Sequence, residues 1–104
     1  MTPETIRDIV AWSLGLTPET IQKKTHAWDI AHPRMVAAYL MRRYTGTNWS
    51  SIANLVGLAN HSSALQGAQV VSRQQDFFAP MLRRAQHALF VANDRHPLPI
   101  ITEP

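Results

Sequence analysis

The side chains best suited to specific chemistry form one short polar run, Asn60-His61-Ser62-Ser63. Asparagine is a favoured helix N-cap, because its side-chain oxygen accepts a hydrogen bond from a backbone N–H of the first turn. Apolar residues then recur at helical spacing, at Leu65, Ala68 and Val71. The pattern predicts a helix whose exposed first turn carries amide, imidazole and hydroxyl groups, all of which can form hydrogen bonds with groups outside the protein.

A shorter helix is predicted immediately before this one. Asn48 is suited to cap it, Gly57 is suited to end it in a left-handed conformation, and an apolar stripe lies between them at Trp49, Ile52, Ala53 and Val56. Two helices joined in this way form a helix-turn-helix, which places the first turn of its second helix against base edges in the major groove of DNA. We therefore interpret residues 60–63 as base contacts. The alternative is an ordinary helix N-terminus rich in capping residues.

The net charge of +3 is modest, but the acidic residues are unevenly placed. No carboxylate occurs between Asp29 and Asp76, so this segment does not repel a phosphate backbone. Basic residues in or just before the segment are interpreted as phosphate contacts, namely Lys23, Lys24, Arg34, Arg42 and Arg43. The alternatives are chance clustering, a solvated helix face for the arginines and an ordinary surface loop for the lysines.

The other polar residues do not form a recognisable catalytic or metal-binding motif. The chain has no cysteine, no His-Glu-x-x-His and no Gly-x-Ser-x-Gly sequence, and its histidines and acids are scattered. His26 and His32 are separated by too many residues to be two metal ligands on one helix. We therefore expect no enzymatic activity, no metal and no cofactor.

The N-terminal part of the chain is predicted to be a helical hairpin. Thr2-Pro3 and Thr17-Pro18 each supply an N-cap followed by a proline at the first helical position. The two helices are predicted to end near Gly15 and Ile21. Residues 23–32 lack a helical stripe and are predicted to form a loop.

The remaining helices are assigned from the prolines. Pro33 is predicted to start the longest helix, over residues 33–45, with Arg34 and the two later arginines on its exposed face. A break is predicted at Phe77-Phe78-Ala79, and Pro80 is predicted to start the last helix. Because no strand pattern of useful length occurs, the sequence predicts an all-α bundle of about six helices.

Residues 1–93 are predicted to form one domain, followed by a Pro-rich tail over residues 94–104 that is extended or flexible. No stretch approaches the roughly 18 apolar residues of a membrane span, and the N-terminus lacks a basic segment followed by an apolar run. We therefore expect a cytoplasmic protein that does not bind membranes.

In its order of elements the chain resembles the C-terminal DNA-binding domain, domain IV, of the bacterial replication initiator DnaA. The similarity is carried by Leu14-Gly15-Leu16-Thr17, by Arg34 to Leu40 after Pro33, by Tyr44-Thr45-Gly46, by Ile52 and Gly57, and by Asn60-His61-Ser62-Ser63 in place of the family's Asp-His-Thr-Thr. The resemblance implies a helical bundle with an extended helix-turn-helix, similar to the Trp repressor. It also implies binding as a monomer to short sites in double-stranded DNA.

The resemblance carries further expectations for single residues. In the family, the His-Thr-Thr part contacts bases, and an arginine of a basic loop enters the minor groove. Here His26 stands at the inserting position, and the nearby Trp28 is either a packing residue or a wedge between base steps. Asn60 stands where the family has an aspartate. An aspartate accepts a hydrogen bond from a base, whereas an asparagine can pair with adenine through two hydrogen bonds, so adenine is expected at the base that this residue contacts.

The chain is thus expected to be a sequence-specific double-stranded DNA-binding regulator of transcription or replication initiation. It contains no GxxxxGK[ST] sequence, so no ATPase activity is expected. The alternative is a protein-interaction adaptor on the same scaffold, with reduced or lost DNA binding. A protein partner would then bind through Phe77, Phe78 or the C-terminal tail.

Overall fold

The computed structural model describes residues 1–103, and this range contains six α-helices and no β-strand. The helices are α1 (Pro3–Ser13), α2 (Pro18–Ile21), α3 (Trp28–Thr45), α4 (Trp49–Leu55), α5 (His61–Arg73) and α6 (Gln75–Ala92). The predicted all-α fold is therefore confirmed. Within residues 1–103, every helix is too short or too polar to span a lipid bilayer.

The first two helices begin in the same way. The hydroxyl oxygens of Thr2 and Thr17 accept hydrogen bonds from the backbone N–H groups of Thr5 and Thr20, both at 3.2 Å, and a proline follows each cap. This satisfies one of the N–H groups that have no partner inside the helix. The two predicted N-termini are confirmed.

Two prolines that were predicted to begin helices lie inside them instead. Pro33 lies within α3, which begins at Trp28, and Pro80 lies within α6, which begins at Gln75. The predicted loop over residues 23–32 is therefore confirmed for residues 23–27 and wrong for residues 28–32, and the predicted break before Pro80 is wrong. A proline has no N–H group, so it leaves one backbone carbonyl, four residues earlier, without its helical hydrogen bond. In both helices that earlier residue is an exposed aspartate near the start of the helix. Water can hydrate such a carbonyl, so the helix continues.

α3 is the central helix of the core and contacts all five of the other helices in residues 1–103. Its buried apolar residues include Val36, Leu40 and Met41, each fully shielded from solvent. α5 packs closely against it, since a Cβ atom added to Gly67 would lie 3.1 Å from the Cγ of Met35. The position of the helix-turn-helix is therefore fixed by its contact with α3.

The segment after α6 lies against the C-terminal end of α3. The backbone N–H groups of Ile101 and Thr102 donate to the carbonyl of Arg43 at 2.8 and 3.2 Å, and Leu98 packs against the core. Residues 97–103 have no regular secondary structure. The last residue of the predicted tail, Pro104, lies outside the described residues, and the division at residue 93 stays a prediction.

Candidate nucleic-acid interface

The predicted helix-turn-helix is present as α4, a tight turn and α5. Asn60 is the N-cap of α5, and its Oδ1 accepts hydrogen bonds from the backbone N–H of Ser63 at 3.0 Å and from the Ser63 hydroxyl at 3.2 Å. Asn60, His61 and Ser62 are exposed, whereas Ser63 is partly buried. The first turn of α5 therefore presents polar side chains to solvent with a fixed cap beneath them.

The cap limits what Asn60 can offer to a base. Bidentate pairing with adenine needs both the amide oxygen and the amide nitrogen of asparagine. Here Oδ1 already accepts two hydrogen bonds from Ser63, which matches its two lone pairs. Only the Nδ2 group is free, and as a donor it suits the acceptor atoms of guanine or thymine, or N7 of adenine.

The outer face of α5 continues past this tip through a residue that was not singled out from the sequence. Gln66 lies one helical turn after Ser62 on the same face and is exposed. Its amide group carries both a donor and an acceptor, and no hydrogen bond inside residues 1–103 involves it. The signal that identifies it is the polar spacing of Ser62, Gln66 and Gln69, which repeats at helical intervals.

The loop between α2 and α3 lies beside the tip of α5. A groove of about 410 Å³ is lined on one side by Thr25, His26 and Trp28 and on the other by Ser63 and Gln66. A neighbouring groove of about 260 Å³ is also lined by Lys24 and Ala59. Of the four predicted base contacts, only Ser63 lines these grooves together with the loop residues, and no carboxylate lines either groove.

Arg34 does not lie on the exposed face of α3. It is only 5% exposed, and its guanidinium donates to the carbonyl oxygens of Ile21 at 3.0 Å, of Thr25 at 3.1 Å and of Lys23. The prediction of an exposed Arg34 is wrong because α3 begins a turn and a half before this residue, which turns its side chain under the loop. Burial lowers the pKa of Arg34, but a guanidinium keeps its charge in proteins. Arg34 thus holds the loop.

Arg42 lies at the other end of α3, next to the helix-turn-helix. Its Nη1 donates to the carbonyl oxygens of Gly46 and Thr47 at 3.1 and 2.9 Å, and its guanidinium carbon lies 5.2 Å from the ring centre of Trp49. These contacts fix the turn before α4. Because Arg42 is partly exposed, its charge is available beside the N-terminus of α4.

Arg43 has mainly internal partners. Its Nη1 donates to the hydroxyl of Tyr39 at 3.0 Å and lies 3.5 Å from Oε2 of Glu103, and the side chain is 21% exposed. Arg42 and Arg43 are both absent from the lining of the two grooves. All three arginines among the five predicted phosphate contacts thus have partners within the protein, whereas Lys23 and Lys24 are exposed on the loop.

The predicted protein-binding pair Phe77-Phe78 is divided between surface and core. Phe77 is 56% exposed, whereas Phe78 is 1% exposed and belongs to the core, because α6 is continuous through both residues. The prediction that Phe78 is available to a partner is therefore wrong. Among residues 1–103, no three histidine, aspartate or glutamate side chains are grouped as metal ligands.

Comparisons with known proteins agree with this geometry. The sequence profile described as "Bacterial dnaA protein helix-turn-helix" matches residues 3–71. A protein named chromosomal replication initiator protein DnaA from a Synechococcus strain is 26% identical to this chain over 99 residues, which cover 91% of this chain and 21% of that protein. A protein of the same name from Porphyromonas gingivalis is 26% identical over 88 residues, which cover 85% of this chain and 19% of that protein. The chain thus spans about a fifth of the length of these relatives. No solved structure matches it. With two thirds of its residues matched, the chain belongs to the family of the bacterial DnaA helix-turn-helix domain.

Proposed function

We propose that this domain binds double-stranded DNA by placing the first turn of α5 in the major groove. The observation that carries the proposal is the exposed, capped run from Asn60 to Ser62, which is followed by Ser63 in the wall of a groove that Lys24 and His26 also line. A polar helix end of this kind can contact base edges. The absence of carboxylates from the two grooves removes repulsion from the phosphate backbone.

The contacts divide into two kinds. Base contacts come from the Nδ2 of Asn60, from His61 and Ser62, and from Gln66 on the next turn, while Ser63 mainly holds the Asn60 cap. Phosphate contacts come from Lys23 and Lys24 in the loop and from Arg42 beside α4. Base contacts give sequence preference, whereas phosphate contacts give affinity that falls as salt rises. Arg34 and Arg43 contribute to binding only indirectly, because their hydrogen bonds to other parts of the protein stabilise the fold.

Sequence-specific binding gives the domain a role in the initiation of replication or in the regulation of transcription. The named relatives are replication initiators, and this chain matches about a fifth of their length. The chain has no GxxxxGK[ST] sequence. The function of these 104 residues is therefore site recognition rather than nucleotide hydrolysis.

The test is selection of bound duplexes from a random pool, followed by measurement of affinity over a range of salt concentrations. We expect one enriched sequence, and we expect the logarithm of affinity to fall with the logarithm of salt by about 0.9 for each phosphate contact. Substitution of both His61 and Ser62 by alanine is expected to weaken the sequence preference without unfolding the domain, because both side chains are exposed and Asn60 and Gln66 remain.

Charge variants separate phosphate contacts from a general effect of charge. Lys24→Ala is expected to reduce the slope of the logarithm of affinity against the logarithm of salt concentration by about 1, the contribution of one phosphate contact. Arg84→Ala removes the same charge from an exposed position of α6 outside both grooves, and should leave the slope unchanged. An affinity independent of salt, together with a pool without enrichment, would contradict the proposal and favour a protein-interaction adaptor.

A further inference from the structure

Arg34 is a buried cation without an acidic partner. The residue is 5% exposed, and its guanidinium donates to the carbonyl oxygens of Ile21, Lys23 and Thr25, which carry no net charge. Residues 1–103 contain two ion pairs, and neither of them involves Arg34. A buried charge is costly unless an opposite charge accompanies it. The positive charge of Arg34 is therefore left uncompensated within this part of the chain.

The guanidinium of Arg34 also has hydrogen-bond donors that the loop does not use. A guanidinium carries five N–H groups, and its hydrogen bonds to the three loop carbonyls account for three of them. The side chain lines both the larger and the smaller groove, and no carboxylate lines either one. An anion in the larger groove can therefore accept hydrogen bonds from Arg34 and balance its charge.

The beginning of α5 also favours an anion in the larger groove. Ser63 and Ala64, in the first turn of this 13-residue helix, both line the groove. The N-terminal end of a helix carries a partial positive charge, and it stabilises a negative charge within the first turn. The helix end and the guanidinium of Arg34 thus attract a ligand of the same sign.

Most of the larger groove is nevertheless apolar. Between α3 and α5 it is lined by Met35, Ala38, Gly67 and Val70, and Trp28, which is 68% exposed, lines it as well. The indole offers a flat surface against which an aromatic ring can stack. The groove volume of about 410 Å³ falls within the range of small-molecule sites, about 300–1,000 Å³. The groove therefore suits a ligand with a flat apolar body and a negative charge.

We propose that the larger groove binds a small aromatic carboxylate, with its ring between α3 and α5 and its carboxylate on Arg34. Inorganic phosphate would compensate Arg34 but would leave the apolar part of the groove without a ligand. A neutral aromatic molecule would fill the apolar part and leave the charge of Arg34 uncompensated. An aromatic carboxylate does both. This site is separate from the proposed DNA binding, because it requires no duplex.

NMR of the methionine methyl groups tests the site in the absence of DNA. Met35 lines the groove, whereas Met41 is fully buried on the same helix and Met81 lies on α6. Naphthoate should shift the Met35 methyl signal saturably, because the ring current of a bound aromatic ring acts on nearby protons, and should leave the Met41 and Met81 signals in place. An affinity on the order of 0.1–1 mM is expected for a ligand of this size.

Two further ligands separate the contribution of the charge from that of the ring. Naphthamide has the same rings without the charge, so it should bind about tenfold more weakly than naphthoate, because hydrogen bonds between charged groups are lost. Inorganic phosphate has the charge without the ring, so it should leave the Met35 signal unshifted at the same concentrations. In Arg34→Met, the affinities for naphthoate and naphthamide should become equal.

A variant that fills the groove tests the position of the ring. Ala31 lines the larger groove and is only partly buried, so Ala31→Leu should occupy the space of the ring without unfolding the domain, and the Met35 shift should be lost. Ala92→Leu is the matched control, because Ala92 is exposed on α6 and lines neither groove. It should bind naphthoate as the parent protein does.

Three results would each overturn the proposal: equal affinities of the parent protein for naphthoate and naphthamide, a Met35 shift with phosphate alone, or naphthoate binding that survives Ala31→Leu. A parent protein whose Met35 signal does not respond to naphthoate would overturn it as well. All of these measurements are made without a duplex, so they leave the proposed DNA binding standing. That function fails separately, if selection from the random pool enriches no sequence.

Discussion

A Cβ atom on Gly57 would overlap the backbone carbonyl of Gln22, with its carbonyl carbon only 2.6 Å away. Gly57 follows the end of α4 and has a φ of 71°, and Gln22 is the C-cap of α2. The turn of the helix-turn-helix therefore rests directly on the residue that begins the α2–α3 loop. This contact fixes the helix-turn-helix and the α2–α3 loop, which together form the candidate interface, relative to each other.

The first prediction follows from that contact. Gly57→Ala should lower the free energy of unfolding by about 3 kcal/mol or more, since the left-handed backbone alone costs about 1–3 kcal/mol for a residue with a side chain and the overlap adds to it. Gly15→Ala is the control, because Gly15 has a φ of 81° but no atom within 4 Å of its added Cβ. It should cost about 1 kcal/mol. Urea denaturation followed by circular dichroism measures both, and equal losses would show that the overlap is relieved without cost.

The parts of the fold that follow from local rules could be predicted from the sequence. Thr2, Thr17, Asn48 and Asn60 are each N-caps in the structure, and each accepts a hydrogen bond from the backbone three residues later. Capping depends on a few consecutive residues, so one sequence contains the needed information. The helix-turn-helix was identified for the same reason.

The parts that depend on distant contacts could not be predicted in this way. Proline is usually read as a helix boundary, but Pro33 is tolerated inside α3 because tertiary packing outweighs the loss of one hydrogen bond. The burial of Arg34 depends on carbonyls of the α2–α3 loop, which no local pattern brings near. The approach of Ile101 to Arg43 likewise joins residues far apart in the chain.

The second prediction concerns Arg34 as the support of the loop. Arg34→Met should lower the free energy of unfolding by about 2–3 kcal/mol, because hydrogen bonds from a charged group contribute about 1.5–3 kcal/mol and three carbonyls lose their donor. Arg34→Lys should recover only part of this loss, since an ammonium group cannot match the spread of a guanidinium. Amide hydrogen exchange should become faster in the loop in both variants. Unchanged exchange over residues 22–27 in Arg34→Met would disprove this role.

The third prediction separates the cap at Asn60 from base reading. Asn60→Asp keeps an oxygen for the Ser63 N–H and adds a negative charge at a helix N-terminus, so the free energy of unfolding should stay equal or rise by about 0.5 kcal/mol. The preferred base should nevertheless change, because the Nδ2 donor is replaced by an acceptor that suits cytosine N4. Selection from a random pool would show the change at one position.

Asn48→Asp is the matched control for that experiment. Asn48 caps α4 through the same geometry, with its Oδ1 accepting from the backbone N–H of Ser51 at 2.9 Å. The added charge should weaken binding to all duplexes alike and leave the preferred sequence unchanged. If both variants selected the parent sequence, Asn60 would be a cap without a role in reading bases.

The last prediction extends the reading surface to Gln66. Its side chain is exposed, so Gln66→Ala should leave the free energy of unfolding equal or raise it slightly, by about 0.5 kcal/mol, through the higher helix propensity of alanine. Binding to the enriched duplex should weaken by about 1–3 kcal/mol, and the preference should relax at one base pair, because a bidentate amide contact is lost. The salt slope should stay the same.

Gln69 provides the control on the same helix. It is also exposed, but it lies further from the tip of α5 and does not line the groove beside the loop. Gln69→Ala removes the same amide group, so the difference between the two variants reports position alone. Binding of each variant to the enriched duplex and to duplexes changed at single base pairs measures that difference. Equal losses would indicate that α5 lies along the groove rather than entering it by its first turns, and no loss for Gln66→Ala would confine base reading to residues 60–63.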